Sequence, residues 1–364
     1  MTIKHLYVHI PFCNHICFYC DFFKIKKSQD LMVDEYLTSL ASEFDRIKPQ
    51  LTAVTTIYLG GGTPNSLNNT QLTRLLEILN GISHNHLQEY TIELNPERIT
   101  KEQLLILQKY YVNRLSIGIQ TFNDELLAKL NRKHTVQQAI DSYYLARKLG
   151  FNNISFDLMY NLFDQSYQQI NDDLAMVNQL QPDHLSWYSL ILKENSYWGK
   201  TKTKLSDNDL AFDEIINTAL VNFGYHRYEI SNYSLTPEKQ SQHNLCYWTN
   251  KSFLPLGPGA SGFLNENNQY LLLENTRRYQ GWEQKISEIS LPDYYFQILM
   301  MGLRLTAGID LDNVKDARGA YEYYQDKIGE EITKGNLVLI DNQFLKCTPQ
   351  GYNILNDILV NIMD

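Results

Sequence analysis

Apolar positions in this chain switch between two periods. Short runs rich in β-branched and aromatic side chains read as strands. Longer runs repeat their apolar positions every three to four residues and read as amphipathic helices. Strands are expected at 5–10, 56–59, 90–94, 114–119, 153–159 and 184–190. Helices are expected at 33–47, 70–79, from 101 onward, in segments reaching 149, through 180, and at 206–223. Strands alternating with helices predict βαβ units and a parallel sheet. Right-handed crossovers curl such a sheet, and six units suit either an open doubly wound sheet or a partial barrel. Periodicity alone does not choose between them. In both, ligands bind at the C-terminal ends of the strands.

Special residues gather at those ends. A cysteine-rich loop follows the first strand. Gly60-Gly61-Gly62-Thr63-Pro64 follows the second, Glu93 with Asn95-Pro96 closes the third, Gln120 the fourth and Asp157 the fifth. Glycines let a backbone approach a ligand closely and expose bare N–H groups. A carboxylate suits bidentate hydrogen bonding to hydroxyls or to an ammonium group. The plainer reading of each feature alone is a tight turn or a helix cap. Their recurrence at one end of successive strands favours a site.

Beyond Phe223 the alternation stops. Residues 225–233 read as a strand and turn, and the stretch up to about 290 as irregular. Residues 293–305 form a strongly amphipathic helix, 337–346 a hairpin around Asp341-Asn342, and 350–362 a last helix. The chain therefore divides into a core at 1–230, a connecting segment at 231–290 and an α+β, winged-helix-like unit at 291–364. Hydrophobic content of 43% and charged content of 20% are those of a globular protein. The net charge of −9 argues against nucleic acid as a partner. No apolar run reaches the roughly 20 residues that cross a bilayer, and the N-terminus lacks a signal-peptide pattern, so a cytoplasmic setting is expected. Contact with a membrane surface and formation of a homodimer stay open.

Three of five cysteines lie close together, as Cys13, Cys17 and Cys20 in the spacing C-x3-C-x2-C. Thiolates are soft ligands, and three on one loop can hold three corners of an iron–sulfur cube, leaving one iron without a protein ligand. A zinc site needs a fourth ligand, for which His15 and Asp21 are at hand. A disulfide is disfavoured by the odd count and by the absence of any secretory mark.

The spacing resembles the radical S-adenosylmethionine superfamily. The lead-in Tyr7-Val8-His9-Ile10-Pro11-Phe12-Cys13 resembles the oxygen-independent coproporphyrinogen III oxidases and their relatives. So do Tyr90-Thr91-Ile92-Glu93-Leu94-Asn95-Pro96, Arg114-Leu115-Ser116-Ile117-Gly118-Ile119-Gln120-Thr121-Phe122, Leu130-Asn131-Arg132-Lys133-His134 and Ser155-Phe156-Asp157-Leu158-Met159-Tyr160, in order and at similar spacing. The resemblance implies a partial (β/α)6, TIM-like barrel with a smaller α+β C-terminal domain. It also implies a [4Fe-4S] cluster whose open iron is chelated by S-adenosylmethionine. Carried over residue by residue, Gly61, Gly62 and Thr63 belong to the motif facing the amino group. Glu93, Gln120, Arg132 and Asp157 would contact S-adenosylmethionine, and Tyr7 and Tyr19 would pack beside cluster and nucleoside. Two loops depart from the pattern. Asn161-Leu162-Phe163-Asp164-Gln165 lacks its usual glycine and proline, and Lys193-Glu194-Asn195-Ser196 replaces a Glu-Pro-Gly-Thr turn.

His243-Asn244-Leu245-Cys246-Tyr247-Trp248 carries a second signal. Histidine binds haem iron, and aromatic neighbours can flank a flat macrocycle. The plainer reading is a buried histidine hydrogen-bonded in a turn. H-N-x-x-Y-W resembles the haem-associated motif of haem chaperones in this family, which makes His243 the expected haem contact. Cys246 is a ligand or a bystander, and Cys347 an ordinary buried thiol. Three functions fit the scaffold: a coproporphyrinogen III oxidase, a haem chaperone and a radical methyltransferase or cyclopropanase. The oxidases carry a further cysteine two residues after the third, where this chain has Phe22, and an extra segment before the first strand. The expected function is therefore haem binding and transfer to an acceptor protein, for which respiratory enzymes are natural candidates.

Overall fold

The structure is a computed structural model describing residues 3–201, 205 and 208–363. Its centre is a sheet of nine strands. Six are the expected ones: β1 (His5–Ile10), β2 (Thr56–Gly61), β3 (Glu89–Leu94), β4 (Arg114–Gln120), β5 (Ile154–Tyr160) and β6 (His184–Ser189). They lie side by side in sequence order and all run parallel. A doubly wound sheet reverses its strand order at a switch point. No reversal occurs among these six, so the open choice resolves to the partial barrel.

Beside β6 runs the antiparallel β7 (Asn232–Ser234), followed by His226–Arg227. At the opposite edge β8 (Leu254–Leu256) runs parallel to β1. Residues 231–290, expected to be irregular, thus supply two strands to the main sheet. They also hold an antiparallel sheet of Ser261–Glu266, Gln269–Asn275 and Gln284–Glu288. The sequence hid β8 because it is only three residues long and carries Pro255, a residue suited to a sheet edge.

Helices cover the outside: α1 (Asp30–Ile47), α2 (Asn69–Leu79), α3 (Lys101–Lys109), α4 (Asp124–Lys129), α5 (Val136–Lys148), α6 (Tyr167–Leu180) and α7 (Asp209–Asn222). The expected start of α7 at Ser206 lies outside the described residues. Three of these helices begin with a capping box. Asn68 pairs with Gln71, Thr135 with Gln138 and Ser166 with Gln169, each satisfying two otherwise orphaned N–H groups. Strand side chains alternate between faces. Leu6, Val8, Ile10, Ile57, Leu59, Ile92, Leu115 and Ile117 are fully buried and belong to the main apolar core. The alternate positions are polar: His5 and His9, Thr56, Glu89 and Thr91, Arg114 and Ser116, Ser155, His184 and Ser186, all buried. Parallel sheets usually bury apolar residues on both faces. A polar inner face marks a hollow.

A short helix, α8 (Gln242–Trp248), packs at the foot of that hollow. The Glu89 carboxylate accepts the backbone N–H groups of Gln242 (2.8 Å) and His243 (3.1 Å). A second apolar core is built around α9 (Leu291–Gly302), with Ile298, Leu299, Ile328, Leu345 and Ile358 buried in it. The hairpin pairs Leu337–Ile340 with Phe344–Cys347. Asp341 and Asn342 at its tip both take positive φ, as a tight primed turn demands. The last helix is broken at Ile354 into Pro349–Asn353 and Leu355–Met363.

Candidate functional site

The C-terminal ends of the parallel strands open into a cavity of about 480 Å3. The cysteine loop forms one wall. Its backbone is tied to its surroundings at several points. Ile25 and Lys27 donate to Pro11 and Cys13, while the Asn131 side chain donates to the Ile16 carbonyl at 2.8 Å. Cys13, Cys17 and Cys20 all line the cavity as free thiols. Cys13 Sγ lies 3.4 Å from Thr63 Oγ1, and Arg132 approaches Cys17 Sγ at 3.7 Å. Among the described residues no three His, Cys, Asp or Glu side chains are gathered tightly enough for a single metal ion. A four-iron cluster needs its three thiolates spread over three corners instead.

The glycine run needs its glycines. Gly61 has φ of +108°, and a Cβ there would come within 2.5 Å of the His9 ring. A Cβ on Gly62 would meet the Pro11 backbone at 2.7 Å. The backbone thus lies close enough for Gly62 N to donate to Ile10 O and Thr63 N to Phe12 O. Gly61 N donates to Glu93 Oε2 (3.1 Å), and Tyr58 Oη donates to Glu93 Oε1 (2.9 Å). Burial and the nearby charge of Asp157 push the Glu93 carboxyl up to about 7. Asp157 accepts from Ser116 Oγ at 2.9 and 3.1 Å, and burial raises its carboxyl as well.

Gln120 sits at a register shift between β4 and β5, with φ of +71°. Left-handed backbone at a residue other than glycine costs energy and concentrates at functional sites. Arg132 Nη2 donates to Gly118 O (2.5 Å) and Asn95 Oδ1 (3.0 Å), which fixes its guanidinium against the cavity wall. Burial opposes its charge, but Tyr19 and Cys17 beside it leave its pKa above the ordinary value. Tyr19 also lines the cavity and packs on the Leu126, Leu130 and Met159 cluster.

Two expected site residues lie elsewhere. Tyr7 does not line this cavity; it lines a second one and bonds His9 Nδ1 at 3.0 Å. His243 is fully buried and lines neither. Its Nδ1 is 2.8 Å from Thr56 Oγ1 and its Nε2 is 2.7 Å from Tyr247 Oη. Tyr58 stacks on its ring at 5.3 Å. Burial, then the charges of His5 and Arg114, hold the imidazole well below its usual pKa and therefore neutral. Both ring nitrogens are engaged by hydroxyls, so the structure does not bring the expected haem contact into either cavity. The reason is the seating of α8 against the inner face of β2 and β3, which puts the histidine under the hollow. Cys246 is buried too, and burial raises its thiol.

Arg114 and Asn131 stand in the motifs above without an expected role. Arg114 is 2% exposed, lines the floor of the first cavity and lies 3.3 Å from His184 Nδ1. A charged residue opening a strand that is otherwise buried was the signal available. Asn131 takes φ of +59°, and nothing in the sequence shows that its amide clamps the cysteine loop.

Residues 7–177 match the radical SAM superfamily and residues 289–353 the HemN C-terminal domain. The haem chaperone HemW of Lactococcus lactis is 34% identical over 97% of this chain and 95% of its own length. That of Bacillus subtilis is 35% identical over 84% of this chain and 85% of its own length. This chain belongs to the HemW family. The solved structure of coproporphyrinogen III oxidase (HemN) from Escherichia coli superposes with a TM-score of 0.83, covering 99% of this chain and 90% of that one. At 21% identity that likeness establishes the shared fold alone. The HemW family fold therefore consists of a partial radical SAM barrel and a separate C-terminal domain, as the sequence led us to expect. The first cavity's lining fits the cofactors of the superfamily: three soft sulfurs on one wall, a guanidinium beside them, and carboxylates and an amide at the strand ends.

Proposed function

We propose that this protein is a haem chaperone. In this reading Cys13, Cys17 and Cys20 hold a [4Fe-4S] cluster, and the adjoining cavity takes S-adenosylmethionine. Glu93 meets its amino group, Arg132 its carboxylate, and Gln120 and Asp157 its ribose. The cluster supplies electron transfer and a Lewis-acidic iron when bound. Haem is the cargo, taken up and passed to a haem-dependent acceptor protein, in the cytoplasm.

One observation carries the proposal beyond the relatives' names. Asp21 and Phe22, just after Cys20, belong to the lining of both the cysteine-lined cavity and a second one. Phe22 stands where the oxidases have their additional cysteine, and it is 70% exposed. An aromatic ring there borders both a cofactor cavity and a second, aromatic one. An oxidase needs its porphyrinogen in the same cavity as the reacting nucleoside; a carrier does not.

The test is anaerobic reconstitution followed by haem titration in the Soret region, with coproporphyrinogen III supplied separately. Saturation near one haem per chain, without decarboxylation, is expected. Formation of protoporphyrinogen IX, or no haem binding, would overturn the proposal.

A further inference from the structure

The second cavity, of about 520 Å3, lies where strand β1, helix α8 and the C-terminal core meet. Its walls are rings: Tyr7, Phe22, Phe23, Tyr247, Trp248 and Phe253. Two polar donors in the lining are spare. Trp248 Nε1 and Asn250 Nδ2 are buried without a hydrogen-bond partner among the described residues. Buried donors are normally satisfied, so these two point to an absent acceptor, while Asp21 Oδ1, in the same lining, is a buried acceptor without a partner among the described residues. At the same cavity Lys251 and Arg277 are solvent-exposed, and neither has an ion-pair partner among the described residues.

Aromatic walls, unspent donors and two cations describe a ligand with broad apolar faces and carboxylates along one edge. Haem has that form, with two propionates on one side of a flat ring. We infer that this cavity, and not the cysteine-lined one, receives the haem, and that Lys251 and Arg277 meet its propionates. The inference rests on the chaperone reading above. His243 is then a positioning residue. Its bond to Tyr247 Oη holds one aromatic wall in place from behind.

The experiment compares haem with iron protoporphyrin IX dimethyl ester, whose carboxylates are masked, on the full-length reconstituted protein. A pair involving an exposed charge is worth up to about 1 kcal/mol, or about fivefold in affinity. The double variant Lys251→Ala, Arg277→Ala should therefore bind haem about 25-fold more weakly. The ester should bind wild type and double variant alike. S-adenosylmethionine binding should stay at the wild-type level, which reports that the variant is folded. Wild-type haem affinity in the double variant would overturn the cavity assignment and leave the chaperone reading standing. An equal loss for haem and ester would overturn the propionate pairing. Absence of haem binding in the wild type would remove both.

Discussion

Glu93 holds its two oxygens on Tyr58 Oη and Gly61 N, buried at the end of β3 with a carboxyl raised to about 7. An ammonium group needs the ionised carboxylate. Above pH 7 the group is already charged, and affinity for S-adenosylmethionine should be level. Below it a proton must be displaced, so affinity should fall about tenfold per pH unit. Calorimetric titration between pH 5.5 and 8.5 checks this. Glu93→Gln should bind weakly at every pH and lose the slope; a retained slope in that variant would assign the titration elsewhere. The same scale separates two roles for His243. Its loss leaves Tyr247 Oη without its partner, Thr56 Oγ1 with His5 alone, and a cavity behind, at a stability cost of about 2–4 kcal/mol. If it only positions Tyr247, His243→Ala weakens haem binding while the Soret position of bound haem stays put. A shifted Soret band would restore it as an iron ligand. The motif could not reveal this, because spacing shows that a histidine is present and not how its two nitrogens are used.

Elements were legible where a period ran long enough. All six parallel strands and their covering helices follow from apolar spacing, and the special residues at strand ends follow from the parallel-sheet rule. The division of the interior was not legible, because it depends on α8, a helix of seven residues docked through Glu89, and on β8, a strand of three. Such short pieces have no period of their own and take their form from the surfaces they join. The cysteine loop shows the same dependence. Its far side is clamped by Asn131, in the turn between α4 and α5, through a left-handed backbone and one amide bond to Ile16 O. Asn131→Gly keeps the backbone conformation and removes the bond, whereas Asn131→Ala disturbs both. Iron content and the decay of the cluster absorbance in air should be worse in both variants, and worst in Asn131→Ala. A cluster as persistent as the wild type in Asn131→Gly would show that the clamp is not needed.

At the scale of the whole molecule the two cavities differ in which core they report to. The first is bounded by the barrel's strand ends and the cysteine loop. The second lies at the seam. Gln297 of α9 donates to Asn250 Oδ1 at 2.7 Å, Arg304 lies over the Trp248 ring, and Thr306 N donates to Tyr228 O. Met301 and Phe263, from the C-terminal side, also line it. A ligand stabilises the regions whose opening would release it, by about 2.7 kcal/mol at a hundredfold excess over Kd. The two ligands should therefore leave different footprints in amide hydrogen exchange. S-adenosylmethionine should slow exchange at the ends of β3–β5 and in the cysteine loop. Haem should slow it in α8 and α9, on both sides of the seam, and leave the ends of β4 and β5 unchanged. If haem instead protects the strand ends and leaves α9 untouched, it sits in the barrel, and the second cavity is a packing feature of the seam.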